Sequence, residues 1–267
     1  MTSPQITTAL VDGRKLSWRE AGRGPAIVFL HDICADSAAW GPQFAVLAKD
    51  HRIIAWDCPG FGASSLLAQR EPAAADYADA VAALLDAAKV DRAALVGAGL
   101  GAVIATTFAA REPRAVGALA LVGAQAKIGG TEAGRMLSWL QELIRDPAAF
   151  ARAYAELALP SRCDPAVRAH VEAMAARVAP IGLGRACQML AGTNLAEQLK
   201  SVHLPLLLLY GDLDTIAPPE AGTLIDMIVR GTVTEIVEQA GHMPQLEMPD
   251  PFHRALRAFL RAARARS

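Results

Sequence analysis

The sequence has almost no net charge: 26 Lys and Arg stand against 27 Asp and Glu, a formal charge of −1. Nothing in that balance draws the chain to nucleic acid or to an anionic membrane. Cysteine is scarce, and Cys34, Cys58, Cys163 and Cys187 form neither CxxC spacings nor paired Cys/His sets. A disulfide framework and a zinc module are therefore not expected, and reduced, mostly buried thiols fit a cytoplasmic protein. The opening stretch lacks a basic start followed by an apolar segment, so no signal peptide is expected. The longest apolar runs, such as Ala26–Leu30 and Leu204–Tyr210, are too short to span a bilayer. What the chain does have is length and apolar content: 267 residues, 53% hydrophobic, with a mean hydropathy of +0.26. These values exclude a disordered tail. They allow one large domain, or one domain with an insertion, needing no disulfide or metal staple.

Short apolar runs alternate with longer helical stretches. Ala26–Leu30, Arg52–Ala55, Ala93–Val96, Ala118–Val122, Pro205–Tyr210 and Val233–Val237 read as buried strands bounded by Gly, Pro or Asp. Between them, Trp40–Ala48, Ala74–Ala88, Ala102–Arg111 and Pro219–Ile228 read as helices. This alternation predicts a mostly parallel sheet covered by helices on both faces. Thr8–Leu10 and Leu16–Arg19 around Asp12-Gly13 predict an opening hairpin. From Gln125 to about His203 the pattern is helical throughout, with Pro147, Pro160, Pro165 and Pro180 marking helix starts or breaks. Such an insertion reads as a lid over the carboxyl ends of the strands, where these sheets bind ligands. The last helix, Pro251–Arg266, carries Arg254, Arg257, Arg261, Arg264 and Arg266. Those read as a solvated face with cations near a helix C-terminus rather than an RNA-binding tail.

Three loops at strand ends belong together: Val96-Gly97-Ala98-Gly99-Leu100-Gly101-Ala102, Tyr210-Gly211-Asp212-Leu213-Asp214 running on to Pro218, and Ala240-Gly241-His242-Met243-Pro244, trailed by Glu247. With His31 after an early strand, Trp40, and Asp57-Cys58-Pro59-Gly60-Phe61-Gly62-Ala63-Ser64, they make essentially the whole chain resemble the α/β-hydrolase family. The resemblance implies the α/β-hydrolase fold, with residues 1–124 and 204–267 as its core and 125–203 as a helical lid. In that family the chain order is nucleophile, acid, histidine, which falls here on position 99, Asp214 and His242. Asp212 is the other candidate acid; the Gly211 spacing and Pro218 favour Asp214. The nucleophile elbow is written G-x-S-x-G, whereas this chain has G-A-G-L-G, so Gly99 stands where serine is expected. Glycine keeps the strained backbone of such a turn but offers no nucleophilic atom.

The resemblance also implies that the Ile33 and Leu100 amides are the oxyanion donors, beside Ala98 and Asp32. Asp32 replaces the family's usual glycine after His31. Either it faces the site, where its charge opposes an oxyanion, or it points into solvent or caps a turn. The run Gly97-x-Gly99-x-x-Ala102 also fits a dinucleotide-binding fingerprint, but no acidic residue follows at the strand near Leu121–Gln125. Cys34 and Cys58 read as buried packing residues rather than substitute nucleophiles; His31 reads as structural, as do His51, His170, His203 and His253. No metal-ligand spacing is present, and no cofactor is called for.

An intact His242–Asp214 pair without a nucleophile is a positioned general base. It predicts action on a small, partly apolar carbonyl or enol substrate, as a lyase, decarboxylase or water-activating hydrolase. On this reading His242→Ala abolishes turnover and Gly99→Ala barely changes it. Two alternatives stay open: a serine ester or C–C hydrolase whose nucleophile was removed by a Ser→Gly change, and a ligand-binding protein without catalysis. Trp139, Leu140, Met174 and Met189 are candidates to enclose the substrate. An exposed apolar lid face would support a homodimer.

Overall fold

Asp12 and Gly13 turn the chain with φ of 48° and 74°, the left-handed pair a two-residue hairpin requires. In the computed structural model, which describes residues 4–127 and 130–265, the turn joins antiparallel β1 (Gln5–Val11) and β2 (Arg14–Ala21). Then follow β3 (Ala26–Leu30), α1 (Gly41–Leu47), β4 (Arg52–Asp57), α2 (Ala74–Ala87), β5 (Ala93–Ala98), α3 (Leu100–Arg111) and β6 (Val116–Val122). Five helices come next: α4 (Gly130–Arg145), α5 (Pro147–Ala158), α6 (Pro165–Ala175), α7 (Pro180–Ala191) and α8 (Leu195–Leu199). The chain closes with β7 (Leu206–Gly211), α9 (Thr223–Ile228), β8 (Val233–Val237), α10 (Pro244–Glu247) and α11 (Pro249–Arg264). Arg266 lies outside the described residues.

The eight strands form one sheet in the order β1-β2-β4-β3-β5-β6-β7-β8. From β4 to β8 all pairs are parallel, and β2 runs antiparallel to both its neighbours. Strands β3, β4, β6 and β7 are buried almost without alternation, the signature of a parallel sheet covered on both faces. Helix α1 packs with α11, while α2 and α8 pack against α3. Helix α3 is buried from Leu100 to Ala109. Its Gly, Ala and Thr residues let it lie close to β5, and the Thr106 and Thr107 hydroxyls donate back to the carbonyls of Ala102 and Val103. Trp40, Phe29 and Phe252 cluster in the core, with ring centroids 4.7 and 6.4 Å apart.

One expectation needs correction. β8 forms as a strand but is not a buried one: only Val237 is buried, because β8 is an edge strand and pairs with β7 alone. Among the four prolines of the inserted stretch, Pro147, Pro165 and Pro180 open helices, as their preset φ favours. Pro160 marks the break expected of it, just past the end of α5. No strand occurs among the described residues between β6 and β7.

Candidate active site

The carboxyl ends of β3, β5, β6, β7 and β8 bring Asp32, Gly99, Gly123, Asp214 and His242 to one place. The turn from β5 into α3 is sharp: Gly99 has φ 46° and ψ −107°, a backbone that L side chains rarely adopt. Its flanking glycines serve close packing. A Cβ on Gly97 would overlap the Gly101 carbonyl, and one on Gly101 would overlap the carbonyl of Leu30. These contacts bind strand, turn and helix together and account for the G-x-G spacing without a dinucleotide.

His242 and Asp214 meet as expected. Nδ1 of His242 lies 2.7 Å from Oδ2 of Asp214, whose Oδ1 accepts the amides of Ile216 and Ala217 at 2.8 and 2.9 Å. Asp212 takes a different part: its Oδ1 accepts the Ala240 amide at 3.2 Å and so ties the two loops. The His242 loop is held by its own backbone. The His242 amide donates to the Ala158 carbonyl at 2.8 Å, and those of Gly241 and Met243 donate to the Glu247 carboxylate at 2.8 and 2.9 Å. Gly123 leaves room for the imidazole, since a Cβ there would lie 2.9 Å from Cε1 of His242.

Asp32 settles between its two readings by facing inward. It is buried, Oδ1 accepts the Leu100 amide at 2.9 Å, and the nearby Ile33 amide helps to hold its pKa down. Of the two amides marked as oxyanion donors, that of Leu100 is therefore engaged by Asp32. Its Oδ2 lies 3.1 Å from Nε2 of His242 and accepts the Tyr154 hydroxyl at 3.4 Å. A Cβ on Gly99 would overlap Oδ1 and Cγ of Asp32, so the carboxylate fills the space that a side chain at 99 needs. The expectation that Gly99→Ala is innocuous is thereby corrected: the methyl would displace Asp32.

The imidazole thus has a carboxylate at each nitrogen. Burial of Asp32 works to raise its pKa, yet His242 and the Leu100 and Ile33 amides bring it down to about 2. Burial opposes charge on His242, but Asp214 and Asp32 outweigh it and hold the imidazolium pKa well above the ordinary value. Since ionised carboxylates only accept hydrogen bonds, this row carries a proton on each ring nitrogen. Burial first, then Asp32, keeps the Tyr154 hydroxyl protonated.

The pocket above this row encloses about 550 Å³, mouth included. Asp32, Gly99, Leu100 and His242 form its floor, and Val103, Met136, Trp139, Leu190 and Ile216 give apolar walls. Of the four side chains expected to enclose a substrate, Trp139 does so. Met174 and Met189 are buried in the core, while Leu140 packs against it; none of these three lines the pocket. Ile33 lines it, whereas Ala98 is buried at the end of β5 and does not. Tyr154 was not singled out by sequence; its only signal was a lone tyrosine in an Ala-rich helix. His31 is structural: the Cys58 amide donates to its Nε2 at 2.9 Å, which leaves Nδ1 as the donor to the Asp32 carbonyl at 2.7 Å. Burial pushes the Cys34 and Cys58 thiols up, so they are packing groups rather than thiolates. Among the described residues no group of three or more His, Cys, Asp or Glu is arranged to hold a metal, and no helix is long and apolar enough to cross a membrane.

Comparison with known proteins places this geometry. The profile of the alpha/beta hydrolase family matches residues 27–255. The chain is 27% identical to a pimeloyl-[acyl-carrier protein] methyl ester esterase of Vibrio parahaemolyticus, over 91% of this chain and 97% of that protein. It is 24% identical to a 3-oxoadipate enol-lactonase of Acinetobacter baylyi, over 94% of each. Its fold matches the crystal structure of a hydrolase from Pseudomonas aeruginosa with a TM-score of 0.87 and 25% identity, over 96% of this chain and 98% of that one.

Proposed function

The chain belongs to the alpha/beta hydrolase family of enzymes, and from that premise we propose that it acts on a small, partly apolar carbonyl or enol substrate by proton transfer, with Gly99 where a serine nucleophile would stand. The observation that carries this reading is the Asp32 carboxylate, which occupies the side-chain space of residue 99 and faces Nε2 of His242. The names of the similar proteins, a methyl ester esterase and an enol-lactonase, support a carbonyl-bearing substrate. Residues 125–203 act as the lid, bringing Met136, Trp139, Tyr154 and Leu190 over the row. A serine hydrolase with an isolated Ser→Gly change accounts less well for the site, because it leaves the inward Asp32 unexplained.

The general base of this site is the pair Asp32–His242 rather than the imidazole alone, which already holds two protons. Oδ2 of Asp32 accepts a proton from the carbon next to the substrate carbonyl, and the Nε2 proton of His242 passes to the carbonyl oxygen. The enol forms, Asp32 is left neutral, and His242 keeps its Nδ1 proton against Asp214. Return of the Asp32 proton to Nε2 restores the row; the reverse steps ketonise an enol. Positioned acid–base groups of this kind contribute about 10²–10⁴ in rate.

Exchange of the α-protons of cyclohexanone in D₂O, followed by NMR, tests this without knowledge of the natural substrate. The native protein should speed exchange over buffer, and His242→Ala and Asp32→Asn should each lose roughly 10²-fold. Exchange no faster than buffer, or equal exchange in His242→Ala, would overturn the reading.

A further inference from the structure

Asp32 changes what the pocket can hold as well as how it reacts. The floor contains two carboxylates, Asp32 and Asp214, and one imidazolium, His242, so the row carries a net negative charge. The described residues lining the pocket include no Lys or Arg. Of the donors around this floor, the Leu100 amide at the start of α3 is taken by Oδ1 of Asp32 at 2.9 Å, the Tyr154 hydroxyl donates to Oδ2 at 3.4 Å, and the Gln125 side-chain amide donates to the Ile216 carbonyl at 2.7 Å. Around this floor the walls are apolar, which weakens solvent screening of any charge brought in.

Resting on the proton-transfer reading above, we propose that Asp32 is a specificity-determining residue that makes this pocket select neutral, oxygen-bearing apolar compounds and exclude carboxylates. A neutral carbonyl meets no like charge, and its oxygen can take the Tyr154 hydroxyl, whose 3.4 Å bond to Asp32 is long and readily exchanged. An anionic ligand must instead come close to the buried Asp32 carboxylate with no Lys or Arg among the described lining residues to offset it. Among the reactions open to the site, this disfavours decarboxylation of keto acids, whose substrates are anions, and favours enolisation or lyase chemistry on neutral ketones, esters or lactones.

Matched pairs test the selection: 2-heptanone with heptanoate, and phenylacetone with phenylacetate, titrated at pH 7.5 and read by the fluorescence of Trp139, which lines the pocket. The ketones should bind at least tenfold more tightly than their carboxylate partners. In Asp32→Asn, which keeps the side-chain shape, the gap should close to within about threefold through a gain by the carboxylates. Equal binding within the native pairs, no binding of either ketone up to its solubility, or an unchanged gap in Asp32→Asn would overturn the proposal. The last result would assign the discrimination to the apolar walls. Should Asp32→Asn fail to fold, the same acids at pH 4 replace it: they are then mostly neutral while Asp32 stays ionised, and they should approach the ketones in affinity. Binding is read without turnover. A protein that selects ketones but exchanges no α-protons therefore defeats the catalytic reading and leaves this one standing, and the reverse result separates them equally well.

Discussion

At the scale of single residues, Gly99 and Asp32 are one unit, because no side chain can be added at 99 without moving Asp32. The carboxylate lies where the Cβ of a residue 99 side chain would be, and it holds the Leu100 amide. Adding a serine alone should therefore not rebuild a serine hydrolase. With a serine-directed fluorophosphonate and intact-mass detection, the native protein and Gly99→Ser should both stay unlabelled, whereas Asp32→Gly/Gly99→Ser should label. Rapid labelling of the single variant would mean that Asp32 swings aside easily, and would move weight to a hydrolase that lost its nucleophile. The same carboxylate sets an acid limit on stability. Its folded pKa of about 2 lies below the ordinary carboxylate value of about 3.9. Its contribution is complete above about pH 4, falls as pH drops toward 2, and amounts to about 2 kcal/mol. His242 has the opposite sign: its raised pKa stabilises the fold fully below about pH 6.5, and that contribution fades as pH rises through the folded value. Urea unfolding from pH 5 to pH 2 should show the native protein losing about 2 kcal/mol more than Asp32→Asn. Parallel losses in the two would show that Asp32 is not held as an ion.

At the scale of elements, most of the frame was legible because its signals are local. Ala26–Leu30 and Val233–Val237 are strands with the bounds the apolar runs predict, and Asp12-Gly13 turns the hairpin. The meeting of His242 with Asp214 was legible through the resemblance of the loops that carry them to the α/β-hydrolase family, whose chain order assigns the acid and the histidine to these two positions. The rest depends on contacts between distant segments. Whether Asp32 faces in or out is decided by the Leu100 amide 68 residues away, and His31 looks the same in sequence whichever nitrogen it turns to Cys58. Tyr154 reaches Asp32 across 122 residues, from a helix whose placement no local pattern fixes. The exposure of β8 did leave a signal: Thr234 and Glu235 interrupt Val233–Val237, whereas the mid-sheet strands Ala26–Leu30 and Leu206–Gly211 carry no charge.

At the scale of the whole molecule, the row of reactive groups sits mid-sheet, yet its histidine follows the edge strand. β8 pairs only with β7, and Val233 and Ile236 are exposed, so this strand belongs to the part of the molecule that opens most readily. The His242 loop is not secured by β8. Its amide is bound by Ala158 at the end of α5, and Glu247 in α10 binds the amides on either side. Helix α5 also carries Tyr154, so the inserted segment touches both Asp32 and His242 and fixes their spacing. The start of α5 is capped by Asp146, whose Oδ1 accepts the amides of Ala148 and Ala149 at 3.1 and 3.0 Å. Loss of such a cap costs about 1 kcal/mol, which is about fivefold in a local opening equilibrium. Native-state hydrogen exchange should then place the His242 amide with those of α5, at least tenfold slower than the amides of β8. Asp146→Ala should speed exchange at His242 about fivefold and leave β8 unchanged. If the His242 amide exchanges together with β8 and ignores Asp146→Ala, the edge strand holds the histidine, and the inserted helices merely cover a site that the sheet positions by itself.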